Sequence, residues 1–150
     1  MTRVDFYVLA DVDLIAMQRF ACRLAFRAAG SGQGVHLHLA SQEDVNAVDE
    51  LLWAYPPERF LPHECLPAGS HRRPTAPVSL GYDCPADCDG VLINLAPGVP
   101  EFFARFDRVA EIIVGANRDD GRSRYKHYRD RGYPLHHHDL DDWEGQDVRQ

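Results

Sequence analysis

Four groups of residues in this chain have types and spacings that could do chemistry. The first is Gly30-Ser-Gly-Gln-Gly34, the nearest thing to a phosphate-cradling glycine loop. Such a loop must follow a strand and open a helix, so that its amides can approach a pyrophosphate. Here the glycines follow a helical pattern and precede a strand, so they read as a terminator. The first strand-to-helix turn instead holds Asp11-Val-Asp13, which would repel phosphate, and there is no Walker lysine motif. A nucleotide cofactor is not expected.

The second group is Cys84-Pro-Ala-Asp-Cys88 with Cys65, His63 and His136-His-His138, residue types that zinc would accept. Only one closely spaced cysteine pair exists, and neither member sits beside a histidine. Ordinary loop thiols and a solvated histidine run describe them better, and no metal is expected. No serine, cysteine or carboxylate has the context of a nucleophile with its base, so catalysis is not supported.

The third group is richer. From Asn117 to Arg131 the chain reads NRDDGRSRYKHYRDR, far more basic than the rest. On a helix Arg118, Arg122, Tyr125 and Arg129 share a face, with Arg124, Tyr128 and Arg131 as an adjacent stripe. Guanidinium forks grip carboxylate or phosphate, and tyrosines wall an apolar slot beside them. That suits an acidic peptide or single-stranded nucleic acid. The competing reading is a solvated helix whose arginines pair with Asp119, Asp120 and Asp130. The fourth group is Trp53 and Phe60, two large rings flanking Pro56-Pro57. Exposed, they would anchor a partner; buried, they would close the core.

These residues need a scaffold, and the periodicity supplies one. Val4–Leu9, Val35–Leu39, Val91–Leu95 and Glu111–Gly115 read as strands. Leu14, Met17, Ala21, Leu24 and Ala28 trace one face of a first helix. Ser41 caps a second, with Val45, Val48 and Leu52 as its buried stripe and Pro56-Pro57 as its stop. Residues 61 to 90 read as a long irregular connection with a short strand near Val78–Leu80. Pro100 and the spacing of Phe102, Phe103, Phe106, Val109 and Ala110 predict another helix. Arg118–Arg131 is the last one, ended by Gly132-Tyr-Pro134. Strands alternating with helices imply a three-layer α/β domain with a mostly parallel sheet. We expect a single domain over 1–140 and an acidic tail over 141–150.

With 150 residues, 45% hydrophobic and 26% charged, the chain can bury a core without disulfide or metal staples. Its net charge of -7 argues against a dedicated duplex-DNA binder. No apolar run reaches membrane-spanning length, and Met1-Thr2-Arg3-Val4-Asp5 is no secretory signal. Four cysteines without an export signal read as reduced thiols in a cytoplasm.

Several blocks carry a family resemblance: DFYVL at 5–9, DELLWAYPPERFLPH at 49–63, VLINLA at 91–96 and RSRYKHYRDRGYPL at 122–135. In order and spacing they resemble the chi subunit of bacterial DNA polymerase III, from about Val4 to about Leu140. The resemblance implies a Rossmann-like fold without a nucleotide site and a clamp-loader accessory subunit without catalysis of its own. It implies two partners on separate surfaces. The psi subunit, or in some members a repair helicase, would contact Trp53 and Phe60. The acidic C-terminal tail of single-stranded DNA-binding protein would dock on Arg122, Tyr125 and Lys126, with Ile113 and Leu135 near the pocket and Arg118 beside it. A stand-alone single-stranded nucleic-acid binder using the Arg/Tyr helix is the alternative. The sequence departs from the family pattern at Asp119-Asp120-Gly121, on the approach to the arginine helix, and in its acidic C-terminus.

Overall fold

The computed structural model describes residues 1–55, 60–69, 73–86 and 89–143. Pro56, Pro57, Cys88 and the tail from Glu144 onward, which all carry sequence readings, lie outside the described residues. The elements are β1 Arg3–Leu9, α1 Leu14–Gly30, β2 Val35–His38, α2 Gln42–Ala54, β3 His63–Cys65, β4 Val78–Gly81, β5 Val91–Asn94, β6 Arg108–Ile113, α3 Arg118–Asp130 and β7 Leu135–Leu140. The seven strands form one sheet in the order β3-β4-β2-β5-β6-β1-β7, and every pairing is parallel.

That order fixes the layers. A strand–helix–strand crossover is right-handed, so the direction of travel along the sheet decides which face the helix covers. From β1 to β2 and from β2 to β3 the chain moves one way, which puts α1 and α2 on one face. From β6 to β7 it moves the other way, which puts α3 on the opposite face. Two cores result. One joins Ala21, Cys22 and Ala25 of α1 and Val45, Val48 and Leu52 of α2 to Leu37, Leu80, Ile93 and Ile112. The other joins Tyr128 of α3 to Val4, Phe6, Leu92, Val109 and Ile113, with Phe102, Phe103 and Phe106 from the β5–β6 connection. Alternation along each strand divides its side chains between these cores. The fold is the expected Rossmann-like three-layer α/β arrangement.

Local signals explain the helix ends. The Ser41 hydroxyl accepts the Asp44 amide at 3.2 Å, with Glu43 and Asp44 in the positive first turn of α2. Such a cap stabilises a helix by ~1 kcal/mol. After α3, Gly132 takes φ 78°, a left-handed conformation that favours glycine, and its amide closes on Arg129 O.

Three sequence readings need correction. The helix expected from Pro100 to Ala110 is only a single turn, Phe103–Arg105, and β6 already begins at Arg108. Val109, Ile112 and Ile113 are β-branched, and their strand pairs on both sides, with β5 and with β1. The aromatics kept their burial but gained it from a turn. The histidine run keeps His136 and His137 exposed, as expected, but it lies in β7, paired with β1 from Val4↔Leu135 to Leu9↔Leu140, and His138 is half-buried. His138 there bonds Asp5 at 2.9 Å and stacks on Tyr7 at 4.8 Å. The connection over 61–90 contains a second short strand, β3, besides the one expected near Val78. Chain packing also continues past Leu140. Trp143 is buried against Phe20, lies under the Arg23 guanidinium, and donates to Asp11 at 2.9 Å.

Two buried groups make stability depend on pH. His36 bonds the Ser79 hydroxyl at 2.8 Å, and burial, helped by neighbouring His38, pushes its pKa down to about 3. An unfolded histidine takes a proton near pH ~6.5. Between these values the unfolded chain binds a proton that the fold refuses, so stability falls as pH drops through that window. Asp5 acts lower. Burial alone would raise its carboxyl, but hydrogen bonds from His138, Arg108 and Arg3 outweigh that and hold it below the ordinary value. Its contribution is present above pH ~4 and is lost only as pH falls through the depressed value. Urea unfolding at about pH 7, 5.5 and 4.5 should therefore show a loss on the order of 2 kcal/mol from His36, and His36→Gln should flatten that slope.

Candidate functional site

Helix α3 sits over β6 and β1 with Gly121, Arg124 and Tyr128 turned inward. Arg124 and Tyr128 therefore do not form the outward stripe that the sequence suggested. Both are spent on Glu111, a fully buried carboxylate on β6. Arg124 Nε donates to Glu111 Oε1 at 2.7 Å, and the Tyr128 hydroxyl donates to Oε2 at 2.6 Å. Asn94 of β5 donates to Oε2 at 2.9 Å. Arg124 also reaches Pro97 O at 2.8 Å, and Asn94 reaches Gly98 O at 3.0 Å. Burial raises the Glu111 carboxyl above its ordinary value, and Arg124, Asn94 and Tyr128 offset only part of that rise. Burial and the Glu111 charge keep the Tyr128 phenol protonated, as a donor must be.

With Arg124 and Tyr128 pinned inward, Arg118, Arg122, Tyr125, Lys126 and Arg129 face solvent. Arg122 forms an exposed pair with Asp119 at 3.6 Å, and Arg129 pairs with Asp130 at 3.2 Å. Exposed pairs of this kind supply only ~0–1 kcal/mol, so they compete weakly with a ligand. Among the described residues Arg118 and Lys126 make no ion pair. Tyr125 is 36% exposed and meets Phe6 edge-on at 5.2 Å. Leu135 is half-buried in the same cluster.

Ile113 is 7% exposed and lies beneath Gly121, where an added Cβ would meet its Cδ1 at 2.4 Å. Gly121 thus lets α3 settle close to the sheet. Ile113 becomes a floor instead of a reaching side chain. Sequence reasoning missed Phe6 and Val8, which share this side of β1 and extend the apolar floor. The alternation in DFYVL was the available signal.

The second surface lies elsewhere. Trp53 at the end of α2 and Phe60 are 64% and 62% exposed, with ring centroids 5.5 Å apart. His63 of β3 meets Trp53 edge-on at 5.0 Å. Its ring is held between Leu61 O at 2.7 Å and the Asp49 carboxylate at 3.0 Å. Burial together with the Asp49 carboxylate pushes the pKa of the Cys65 thiol up to about 11.

The cysteine–histidine set is not brought together. His63 and Cys65 lie on β3 and His136–His138 on β7, at opposite edges of the sheet. Among the described residues no three His, Cys, Asp or Glu side chains are placed to hold a metal. At the first strand-to-helix turn, Asp11 O and Val12 O accept the amides of Gly115 and Ala116, which closes the loop onto β6. An added Cβ on Gly115 would meet Val12 at 3.2 Å, so the loop after β1 packs directly on the loop after β6.

Residues 1–136 match the family model described as DNA polymerase III chi subunit, HolC. The chain belongs to that family. It is similar to the DNA polymerase III subunit chi of Pseudomonas aeruginosa, 40% identical over 143 residues that cover 93% of this chain and 98% of that protein. Similar relatives are the subunit chi of Escherichia coli, 30% identical over 90% of this chain and 96% of that protein, and that of Haemophilus influenzae, 28% identical over 87% and 92%. An accessory, non-catalytic role in DNA replication follows for this chi-family chain. No helix among the described residues is long and apolar enough to cross a membrane.

The Glu111 cluster gives a direct test of what seats α3. Tyr128→Phe should destabilise the fold by ~1.5–3 kcal/mol, the range for a hydrogen bond to a charged group, and leave the chain folded. Glu111→Ala should cost ~3–5 kcal/mol, because it strands the buried Arg124 charge. Chemical unfolding with α3 amide exchange would read both, and equal effects would show that the network does not hold the helix.

Proposed function

We propose that this chain is a bridge in the replisome, joining the clamp loader through a psi subunit to the acidic C-terminal tail of single-stranded DNA-binding protein. The observation that carries the reading is the outward arrangement of α3, with Arg118, Arg122 and Lys126 beside Tyr125 and an apolar floor of Ile113, Val8 and Leu135. A short peptide with acidic residues, an apolar last side chain and a free carboxylate matches that combination of charge and slot. Arg122 forks the terminal carboxylate, while Arg118 and Lys126 attract upstream acids as a looser cloud. Psi, or a repair helicase in its place, docks on Trp53 and Phe60. The reduced cysteines suit a cytoplasmic setting.

Separation of the two surfaces supports a bridge. Trp53 lies at the β3 edge on the α1–α2 face, and Arg122 lies over the β1–β7 side on the other face. One partner can occupy either without covering the other.

Screened charge pairs contribute little, so most of the affinity comes from the buried side chain and the carboxylate fork, and binding should be micromolar. Raising salt from ~0.1 M to ~1 M, where the Debye length shrinks from ~10 Å to ~3 Å, should weaken it. Titration of the full chain with a tail peptide should show a strong loss in Arg122→Ala with psi binding intact. Trp53→Ala should do the reverse and lose psi by ~2–4 kcal/mol, roughly 30- to 1000-fold. Loss of both interactions in either folded variant would end the two-surface reading. Equal binding of a peptide lacking its last residue would leave non-specific acid attraction or direct single-strand binding by the Arg/Tyr helix.

A further inference from the structure

A second set of cations lies on the α1 side of the sheet, at the amino ends of the strands, and the bridge does not use it. The Asp5 carboxylate stands at its centre. Arg3 donates to Oδ1 at 3.1 Å and His138 Nε2 lies 2.9 Å from the same oxygen, while Arg108 donates to Oδ2 at 2.9 Å. Beside this cluster projects Arg27, from the last turn of α1. Among the described residues Arg27 makes no ion pair, and the seventeen residues of α1 include three arginines and no acid. Three guanidinium groups therefore face one carboxylate whose oxygens are already taken.

Between these groups is a cavity of about 190 Å³ with an apolar base that includes Leu24 and Val91, and its polar lining is Asp5, Tyr7, Arg27, Ser31, Gln33 and Arg108. Tyr7 is held rigidly, tilted against Phe20 at 5.3 Å and stacked on His138 at 4.8 Å. Burial first, and the Asp5 charge second, raise its phenol above the ordinary value, so the hydroxyl stays a donor. Two features oppose an anion here. Asp5 is one, and it is neutralised by its arginines. The negative end of α1 is the other, and its last carbonyls are closed by the amides of Ser31, Gly32 and Gln33.

We propose that this cavity is a binding site for a phosphate group, with Arg27 and Arg108 gripping its oxygens from two sides and Tyr7 donating to a third. A phosphomonoester fits better than a carboxylate. It carries up to two charges against the cationic excess and offers three oxygens to donors that converge from three elements. The site lies at the amino ends of the strands, whereas dinucleotides bind beyond the carboxyl ends, so it does not revive a dinucleotide fold. It is also independent of the peptide-docking reading, since α3 lies on the other face. The phosphate could come from solution, from a mononucleotide or from the end of a nucleic-acid strand.

The test uses the full chain with four probes: inorganic phosphate, a nucleoside monophosphate, and one single-stranded oligonucleotide with and without a 5′-phosphate. The phosphorylated strand is expected to bind roughly tenfold tighter than its hydroxyl twin. Phosphate and the monophosphate should raise the melting midpoint more than chloride at equal ionic strength does. Arg27 is exposed and touches no acid, so Arg27→Ala should fold normally and erase both effects, while Arg27→Lys keeps part of them. Arg122→Ala should leave both unchanged. A midpoint rise with the small probes but no discrimination between the strands would keep the site and assign it a small phosphate. No effect of any phosphate, persistence in Arg27→Ala, or equal displacement by an acidic peptide would overturn it.

Discussion

Glu111 stands fully buried on β6, where an ionised carboxylate costs several kcal/mol unless donors surround it. Arg124, Tyr128 and Asn94 supply those donors, and two of the three come from α3. Because residues 124 and 128 are one turn apart, satisfying Glu111 fixes the rotation of the helix about its axis. Everything presented outward follows from that. Arg118, Arg122 and Tyr125 face solvent because Arg124 and Tyr128 cannot. The same bonds reach Pro97 and Gly98, so the β5–β6 connection is tied to the helix as well. A purely apolar α3 face would let neighbouring rotations compete, since Leu-like packing is less directional than a carboxylate fork.

Gly121 complements that constraint. The hydrogen bonds set rotation, and the missing side chain sets distance, with Ile113 occupying the space a Cβ would take. Tyr125 is then brought down onto Phe6 at an edge-to-face distance of 5.2 Å while staying partly exposed. An apolar floor with cations at the rim is the outcome. No one element produces it: the carboxylate belongs to β6, the arginines to α3, and the floor to β6, β1 and β7 together.

Much of this was legible because the patterns were long or chemically distinctive. The α2 stripe, the Ser41 cap and the parallel alternation follow from spacing alone, whereas the α1 spacing found Met17 and Ala21 but took in Leu14, which is exposed, and passed over Phe20 and Ala25. The failures share a physical cause. The aromatic spacing from Phe102 to Phe106 suits a helix, but the β-branched residues that follow pair with nearby β5 on one side and with distant β1 on the other, and that pairing begins at Arg108. The histidines of β7 look polar from their composition. Their register against β1 gives His138 a carboxylate partner and an aromatic one, neither of which is local in sequence. The arginine helix was recognised by charge and family likeness. Which of its arginines face outward could not be read, because Glu111 shows no sign in the sequence of being the group that turns Arg124 away.

The charge balance shows how an acidic protein can still be selective for anions. The chain carries 23 acids against 16 bases, so at long range it repels a polyanion. Among the described residues most of its cations are gathered on α3, along α1 and at the amino ends of β1 and β6. Sheet and helix layers stack roughly 10 Å apart, so α1 and α3 are about 20 Å apart across the sheet. The Debye length at physiological salt is ~8 Å, so each group of arginines acts on its own ligand and scarcely feels the other. A short acidic segment or a single phosphate samples one local positive field. A long nucleic-acid strand must also cross the surrounding acidic surface. Repulsion by the body thus works as a filter on ligand length, favouring small anionic ends over extended polyanions, and it does so without any dedicated selectivity residue.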